Sequence, residues 1–368
     1  MLKRFEVEGF KGFKDKLVFD LCAREYEFNN GIIKHGLVNK AIVYGKNGIG
    51  KSCLGIALFD IVWHLTDKER MSQLYLQNYL NLEGNREFAT FKYFFKFDND
   101  EIVYEYSKSN PDYLISERVW INGRRIINYD YFDDSVRFID KDIVGNLNID
   151  LADNKLSIVK YIYRNTPTNT IPLINKMVQF CERMLWYRSL SEGNMYAGYT
   201  NGVSILVEAL YKYNGIVGFQ EFLKENDIYY SLEFVDRNGE HELMVRFDNG
   251  RLAPFHSIAS TGTKALFLFY IWSISSFDDI SFLFIDEFDA FFHYEAAENI
   301  VLRLNNGLSF QTVLTSHNTY LMQNKLTRPD CCFVMTKGKI TSLYNATAKE
   351  IREAHNLEKM YINGAFNE

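Results

Sequence analysis

Proline is scarce, five in 368 residues, and no Pro- or Ser-rich run breaks the chain, so no linker divides it into separate units. The five cysteines, Cys22, Cys53, Cys181, Cys331 and Cys332, are odd in number and include no Cys-x-x-Cys pair or neighbouring histidine cluster. That excludes a disulfide framework and a zinc site and leaves incidental thiols in a reducing compartment. Positive charge is not in excess. The net charge of −6 argues against a broadly basic nucleic-acid coat and leaves room only for a local basic groove. Long hydrophobic runs are missing too. The longest, Ala265 to Ile274, is too short to span a bilayer and is soon followed by Asp278 and Asp279. Lys3, Arg4, Glu6 and Glu8 interrupt the first ten residues, against a secretory signal. A cytoplasmic protein with no membrane partner is expected. With 47% hydrophobic and 24% charged residues, the chain is ordinary globular material, long enough for one large domain or two modest ones.

Periodicity places the elements. Two strands surround the Gly9–Gly12 turn, and Ala41-Ile42-Val43-Tyr44 is a short buried strand. Leu54, Ala57, Leu58, Ile61 and Leu65 fall at helical spacing and predict a helix from Lys51 to about Leu65. Alternation at Phe91, Tyr93, Phe95 and Phe97, then at Ile102, Tyr104 and Tyr106, predicts a hairpin, and Asn122-Gly123 a second tight turn. Residues 155–225 read as helical, including Pro172–Arg188 and Ser204–Tyr213, while Asn238-Gly239 and Asn249-Gly250 divide 230–256 into a meander. A very apolar helix from Thr261 to about Ile274 precedes a strand at Phe282–Ile285, a helix near 294–305 and a strand at Thr312–Thr315. Such alternation means an α/β fold whose parallel or mixed sheet is covered on both faces.

Gly45-Lys46-Asn47-Gly48-Ile49-Gly50-Lys51-Ser52 fits G-x-x-x-x-G-K-[ST] between a strand and a helix. Its glycines allow successive backbone N–H groups to converge on a triphosphate, Lys51 reaches the terminal phosphates, and the Ser52 hydroxyl ligates Mg²⁺. The strand Phe282–Ile285 ends in Asp286 and Glu287. Charges there must face a pocket or a metal, because burial without a partner is costly. Asp286 would hold Mg²⁺ through its water shell and Glu287 would polarise the attacking water. His317, after the next apolar strand, stands where a histidine would contact the γ-phosphate. ATP and Mg²⁺ are the expected cofactors.

With those residues in place, the chain resembles ABC-type ATPases of the SMC-like branch. Ala259-Ser260-Thr261-Gly262-Thr263 resembles their Leu-Ser-Gly-Gly-Gln signature, with Ala259, Thr261 and Thr263 departing from it. More narrowly, the loop opening, the Thr261-Gly262-Thr263-Lys264 stretch and the tail Ile351–Tyr361 with Gly364 and Phe366 resemble bacterial RloA-like and abortive-infection ATPases. The resemblance covers both ends of the chain well and the middle poorly. It implies an ATPase head with a mixed sheet flanked by helices: a discontinuous core of residues 1–150 and 230–368 and an inserted helical lid at 151–229. It also implies pairing of subunits as a dimer or higher even oligomer, with Ser260 and Gly262 of one copy facing the phosphate loop of the other and Asp289 crossing the interface. Lys11 and Lys14 fall where relatives place a basic residue near the nucleotide, and His293 is a further interface candidate. No Q-loop glutamine stands out, although Gln73 and Gln77 are available.

The roughly two hundred residues between loop and signature carry no sustained heptads and no Cys-x-x-Cys hook, which excludes a coiled-coil arm. The 82 residues after Asp286 show no paired-acid nuclease constellation. The aromatics of 91–106 together with Arg124 and Arg125 make nucleic acid a candidate partner, although a half-buried sheet accounts for those aromatics equally well. The expected function is an ATP-hydrolysing switch that controls a separately encoded toxic effector, a nuclease or other toxin, in anti-phage defence. The alternatives are a DNA-organising or repair clamp without a toxin and a nucleotide-stabilised scaffold.

Overall fold

A computed structural model describes residues 1–68, 73–144, 147, 149–151, 153–188, 196–198, 206–237 and 239–366. Seven strands form the central sheet: β1 (Lys40–Tyr44), β2 (Met184–Arg188), β3 (Tyr196–Gly198), β4 (Phe282–Asp286), β5 (Gln311–Ser316), β6 (Cys332–Thr336) and β7 (Lys339–Ser342). Their order is β3-β2-β4-β5-β1-β6-β7. The five inner strands run parallel and only the edges β3 and β7 are antiparallel. Consequently Tyr44, Arg188, Asp286 and Ser316 all lie at one carboxyl edge, where open α/β sheets place their sites.

A second seven-stranded sheet is wholly antiparallel and contains the expected hairpin, Ala89–Phe97 with Asp100–Lys108, beside Leu2–Glu8. Between the two sheets lies helix α1 (Lys51–Leu65), with 13 of its 15 residues buried. A helix apolar all round needs such a two-sided burial. Phe284 and Trp186 press on it at Gly55 from the central sheet, and Tyr93 donates from the other sheet to the Ala57 carbonyl at 2.9 Å. The opposite face of the central sheet is covered by α2 (Thr261–Ser275) and α3 (Tyr294–Asn305), and a small meander, Ser231–Arg237, Glu240–Arg246 and Leu252–Pro254, flanks them. The mixed α/β architecture with helix-flanked sheets is therefore as the sequence leads one to expect. Asn238 of the first meander turn, Ser204 of the helix expected from 204, and the Gln73 side chain lie outside the described residues.

One expectation fails. The helix expected over Pro172–Arg188 stops at Glu182, and Met184–Arg188 is a strand in the sheet, parallel to β4. Met184-Leu185-Trp186-Tyr187 is buried on both faces, and a short unbroken apolar run carries no periodicity that separates strand from helix. The stretch 151–229 thus supplies a central strand, and its helices Ile158–Asn165 and Pro172–Glu182 pack into the same core as α1. Of the two readings of the 91–106 aromatics the sheet is the one found: Phe91, Tyr93, Phe95, Tyr104 and Tyr106 are all buried, so none is open to stack on a base. Arg124 and Arg125 are exposed, the former paired with Asp140 and the latter with Asn128.

At the far end of β1, the Lys40 ammonium is buried and donates to the Phe310 carbonyl at 2.7 Å and Thr312 Oγ1 at 3.1 Å. Burial lowers its pKa from 10.5 to about 7. The unfolded chain then binds more protons than the folded one between those values, so this residue makes stability rise with pH across that window. Lys40→Met removes the titration. Its stability relative to the wild type, measured by urea unfolding, is expected to move in the wild type's favour from pH 7 to pH 10. Parallel profiles for the two proteins would contradict this.

Candidate nucleotide site

The loop Gly45–Gly50 joins β1 to α1. Gly48 and Gly50 have φ of +73° and +107°, angles that side-chain-bearing residues rarely adopt, and Gly50 is the N-cap of α1. Lys46, Asn47 and Gly48 are exposed, Ile49 and Gly50 half-buried, and Gly45 is buried against the Met335 carbonyl. The Lys51 ammonium turns back into the loop, donating to the carbonyls of Gly45 at 2.8 Å and Lys46 at 3.2 Å, and lies 2.9 Å from His317 Nε2. Burial lowers the Lys51 pKa, opposed by the charges of Asp286, Glu287 and Asp289. Burial and the Lys51 charge likewise lower that of His317, which also bonds the Gly45 carbonyl. A neutral imidazole accepts from Lys51 without repulsion.

Asp286 ends β4 fully buried. Burial raises its pKa, countered by hydrogen bonds from the Ser52 and Thr315 hydroxyls and by the charge of Arg188. Thr315 Oγ1 donates to Asp286 Oδ1 at 2.7 Å and accepts from the Glu287 N–H at 2.7 Å. One hydroxyl thereby fixes both acids of the pair. The backbone of Glu287 takes φ +50°, an unusual conformation for a non-glycine residue that concentrates at functional turns. Asp286 Oδ2 is buried without a hydrogen-bond partner. An orphaned carboxylate oxygen beside the Ser52 hydroxyl is the donor set a hard divalent cation takes, and these residues fit Mg²⁺. Among the described residues no group of three or more His, Cys, Asp or Glu side chains converges on one point. Such an ion would therefore draw most of its ligands from Ser52, water and the phosphates.

Asp289 accepts from Ser316 Oγ at 2.6 Å, and burial pushes its carboxyl up to about 6. Lys51, Ser52, Asp286, Glu287, Asp289 and His317 are thus brought together. The signature residues are placed differently. Ser260 caps α2, accepting from the Thr263 N–H at 3.1 Å, and among the described residues its hydroxyl bonds only within that turn. Gly262 lies under the segment that follows the acidic pair, where a Cβ would fall 2.6 Å from the Phe291 carbonyl oxygen. His293 is 71% exposed and stands beside Glu295. The Gly9–Gly12 turn does reach the loop: Phe13 lies against Gly50 and the Gly12 backbone N–H donates to the Cys53 sulfur. The Lys11 ammonium, however, is engaged by the Gln77 carbonyl at 2.7 Å, and Lys14 is exposed.

Two participants have no sequence signal of their own. Thr315 was legible only as part of a strand end. Arg188 closes the strand that reads as a helix, pairs in register with Asp286, and sets its Nη2 2.6 Å from Glu287 Oε2.

A family model described as "AAA domain, putative AbiEii toxin, Type IV TA system" matches residues 40–323, from the first residue of β1 to beyond His317. The chain belongs to that family. This AAA protein is accordingly a P-loop ATPase-family member of the abortive-infection type. No curated protein matches it. Among solved structures it is similar to an SMC head domain from Thermotoga maritima, at 15% identity and a TM-score of 0.42, over 93% of this chain and 98% of that one. It is also similar to an Smc head domain with an extended coiled coil bound to the C-terminal domain of ScpA, derived from Pyrococcus furiosus, at 15% identity and a TM-score of 0.44, over 93% and 96%. Among the described residues no helix is long and apolar enough to cross a membrane.

Proposed function

We propose that this AAA protein binds ATP with Mg²⁺, hydrolyses it slowly, and uses the cycle to switch a dimer that controls a separately encoded toxic effector in anti-phage defence. The observation that carries the ATPase reading is the convergence of Lys51, Ser52, Asp286, Glu287 and His317 at one carboxyl sheet edge, with Asp286 Oδ2 unpartnered. The loop amides and Lys51 bind the triphosphate, Lys51 leaving the Gly45 and Lys46 carbonyls to do so. Ser52 and Asp286 hold Mg²⁺, which when bound neutralises charge on the phosphates. Glu287 accepts the proton of the water that attacks the γ-phosphorus as the bond to the bridging oxygen breaks. His317, neutral and set against Lys51, contacts the γ-phosphate and responds to its loss.

Subunit pairing is supported by the placement of Ser260 and Gly262, which are held on α2 and against Phe291 and do not touch the loop of their own chain. A site that needs both halves therefore requires a second copy, with ATP as the shared contact. The toxin named in the family description supports the link to an effector. The test is native mass spectrometry of Glu287→Gln, purified from its own operon with and without Mg²⁺-ATP. An ATP-dependent dimer or multiple carrying a second protein is the expected result. A monomer indifferent to ATP would overturn the shared site, and ATP-dependent retention of DNA with no protein partner would favour a clamp.

A further inference from the structure

Arg188 is a cation at the carboxyl edge to which the reading above gives no task. It ends β2 directly beside β4, in register with Asp286. Its guanidinium donates to Glu287 Oε2 from Nη2 at 2.6 Å and Nε at 3.2 Å, and Nε stands 3.8 Å from the orphaned Asp286 Oδ2. The Glu287 backbone is pinned by Thr315, so the part of this residue that is free to change partner is its side chain.

Two arguments turn this pair into a device. A carboxylate oxygen engaged by two guanidinium N–H groups has less capacity to accept from a water molecule, so Oε2 of Glu287 as held here is not open to one. The pair is also within reach of water: the two side chains are 28% and 30% exposed, and solvent competes for the charges of an ion pair it reaches. A guanidinium's planar fork fits phosphate as well as carboxylate, and a terminal phosphoryl group offers more negative charge than one carboxylate. ADP lacks that group.

We propose that Arg188 is a γ-phosphate-reading residue that clamps Glu287 when no γ-phosphate is present and releases it by transferring to the γ-phosphate. This rests on the ATPase reading above. It assigns Arg188 two alternative partners, and competition between them makes a measurable coupling: weakening one must strengthen the other.

The experiment is equilibrium binding, in Mg²⁺ buffer, of ADP and of the non-hydrolysable analogue AMP-PNP to the full chain, by displacement of a fluorescent ADP. Turnover then plays no part. Glu287→Gln is expected to tighten AMP-PNP about tenfold and leave ADP within about twofold, because the clamp has lost its charge. Arg188→Ala is expected to weaken AMP-PNP about tenfold with ADP again little changed. In the double variant the gain from Glu287→Gln disappears. Arg188→Lys, which keeps the charge without the fork, should recover part of the selectivity, and its ADP affinity reports that the site is intact. An equal gain from Glu287→Gln in the Arg188→Ala background would overturn the proposal, as would equal losses for both nucleotides. Failure of the wild type to bind either nucleotide would overturn the ATPase reading itself, and the two failures are thereby told apart.

Discussion

Glu287→Gln is expected to lower ATP turnover by about 10²- to 10⁴-fold, the range a positioned general base contributes, while nucleotide still binds. The substitution keeps the shape of the side chain and the backbone N–H bond to Thr315, and it removes the carboxylate charge together with the capacity to take a proton. Asp286, held by Ser52 and Thr315, is untouched by it. Steady-state turnover measured at saturating Mg²⁺-ATP, with Lys51→Ala as the comparator that loses binding, separates the two roles. Turnover of Glu287→Gln within tenfold of the wild type would mean that another group is the base. The neighbouring carboxyl to examine next would be Asp289, which burial pushes up to about 6 and Ser316 holds in place.

The second large effect concerns stability. Asp60, in the middle of α1, is fully buried. It accepts from Tyr75 at 2.7 Å, Tyr79 at 2.8 Å, Tyr106 at 2.9 Å and the Lys108 ammonium at 2.7 Å. Burial works against its charge, yet Lys108 and His64 hold its carboxyl well below the usual range. Asp60→Ala takes two acceptor oxygens away from four buried donors. Breaking a buried charge pair from one side costs about 3–5 kcal/mol, and that loss is expected in urea unfolding of the variant. Asp60→Asn keeps one acceptor oxygen and should fall between the two. A loss under about 1 kcal/mol for Asp60→Ala, the value of one ordinary hydrogen bond, would show that the network relaxes around the change.

Much of this was legible because the informative segments obey local rules. The loop Gly45–Ser52 carries its chemistry in its residue types, α1 and α2 carry unmistakable apolar runs of helical length, and Asp286 and Glu287 announce themselves as charges at the end of an apolar strand. What stayed hidden depends on partners distant in the chain. Met184–Arg188 is strand because β4, about a hundred residues later, hydrogen-bonds to it, and no local pattern encodes that. Arg188 consequently reads as the end of a helix. The Asp60 network draws on one helix, one strand and residues 75 and 79, so each member taken alone is an ordinary core tyrosine or a stray charge. The alternation over 91–106 was visible, but which face of the hairpin would be covered depended on α1 arriving beneath it.

Because α1 is enclosed on both sides, the phosphate loop is attached to a rod with no soft layer around it. A loop that shifts when a phosphate arrives cannot dissipate the movement by unwinding a solvent-facing turn, since Leu54 to Leu65 are all buried and each neighbour is close-packed. The rod, about 22 Å long at 1.5 Å per residue, must travel whole, and both sheets must give way along its length. A nucleotide-driven shift carried by this rod would therefore be a sliding of layers.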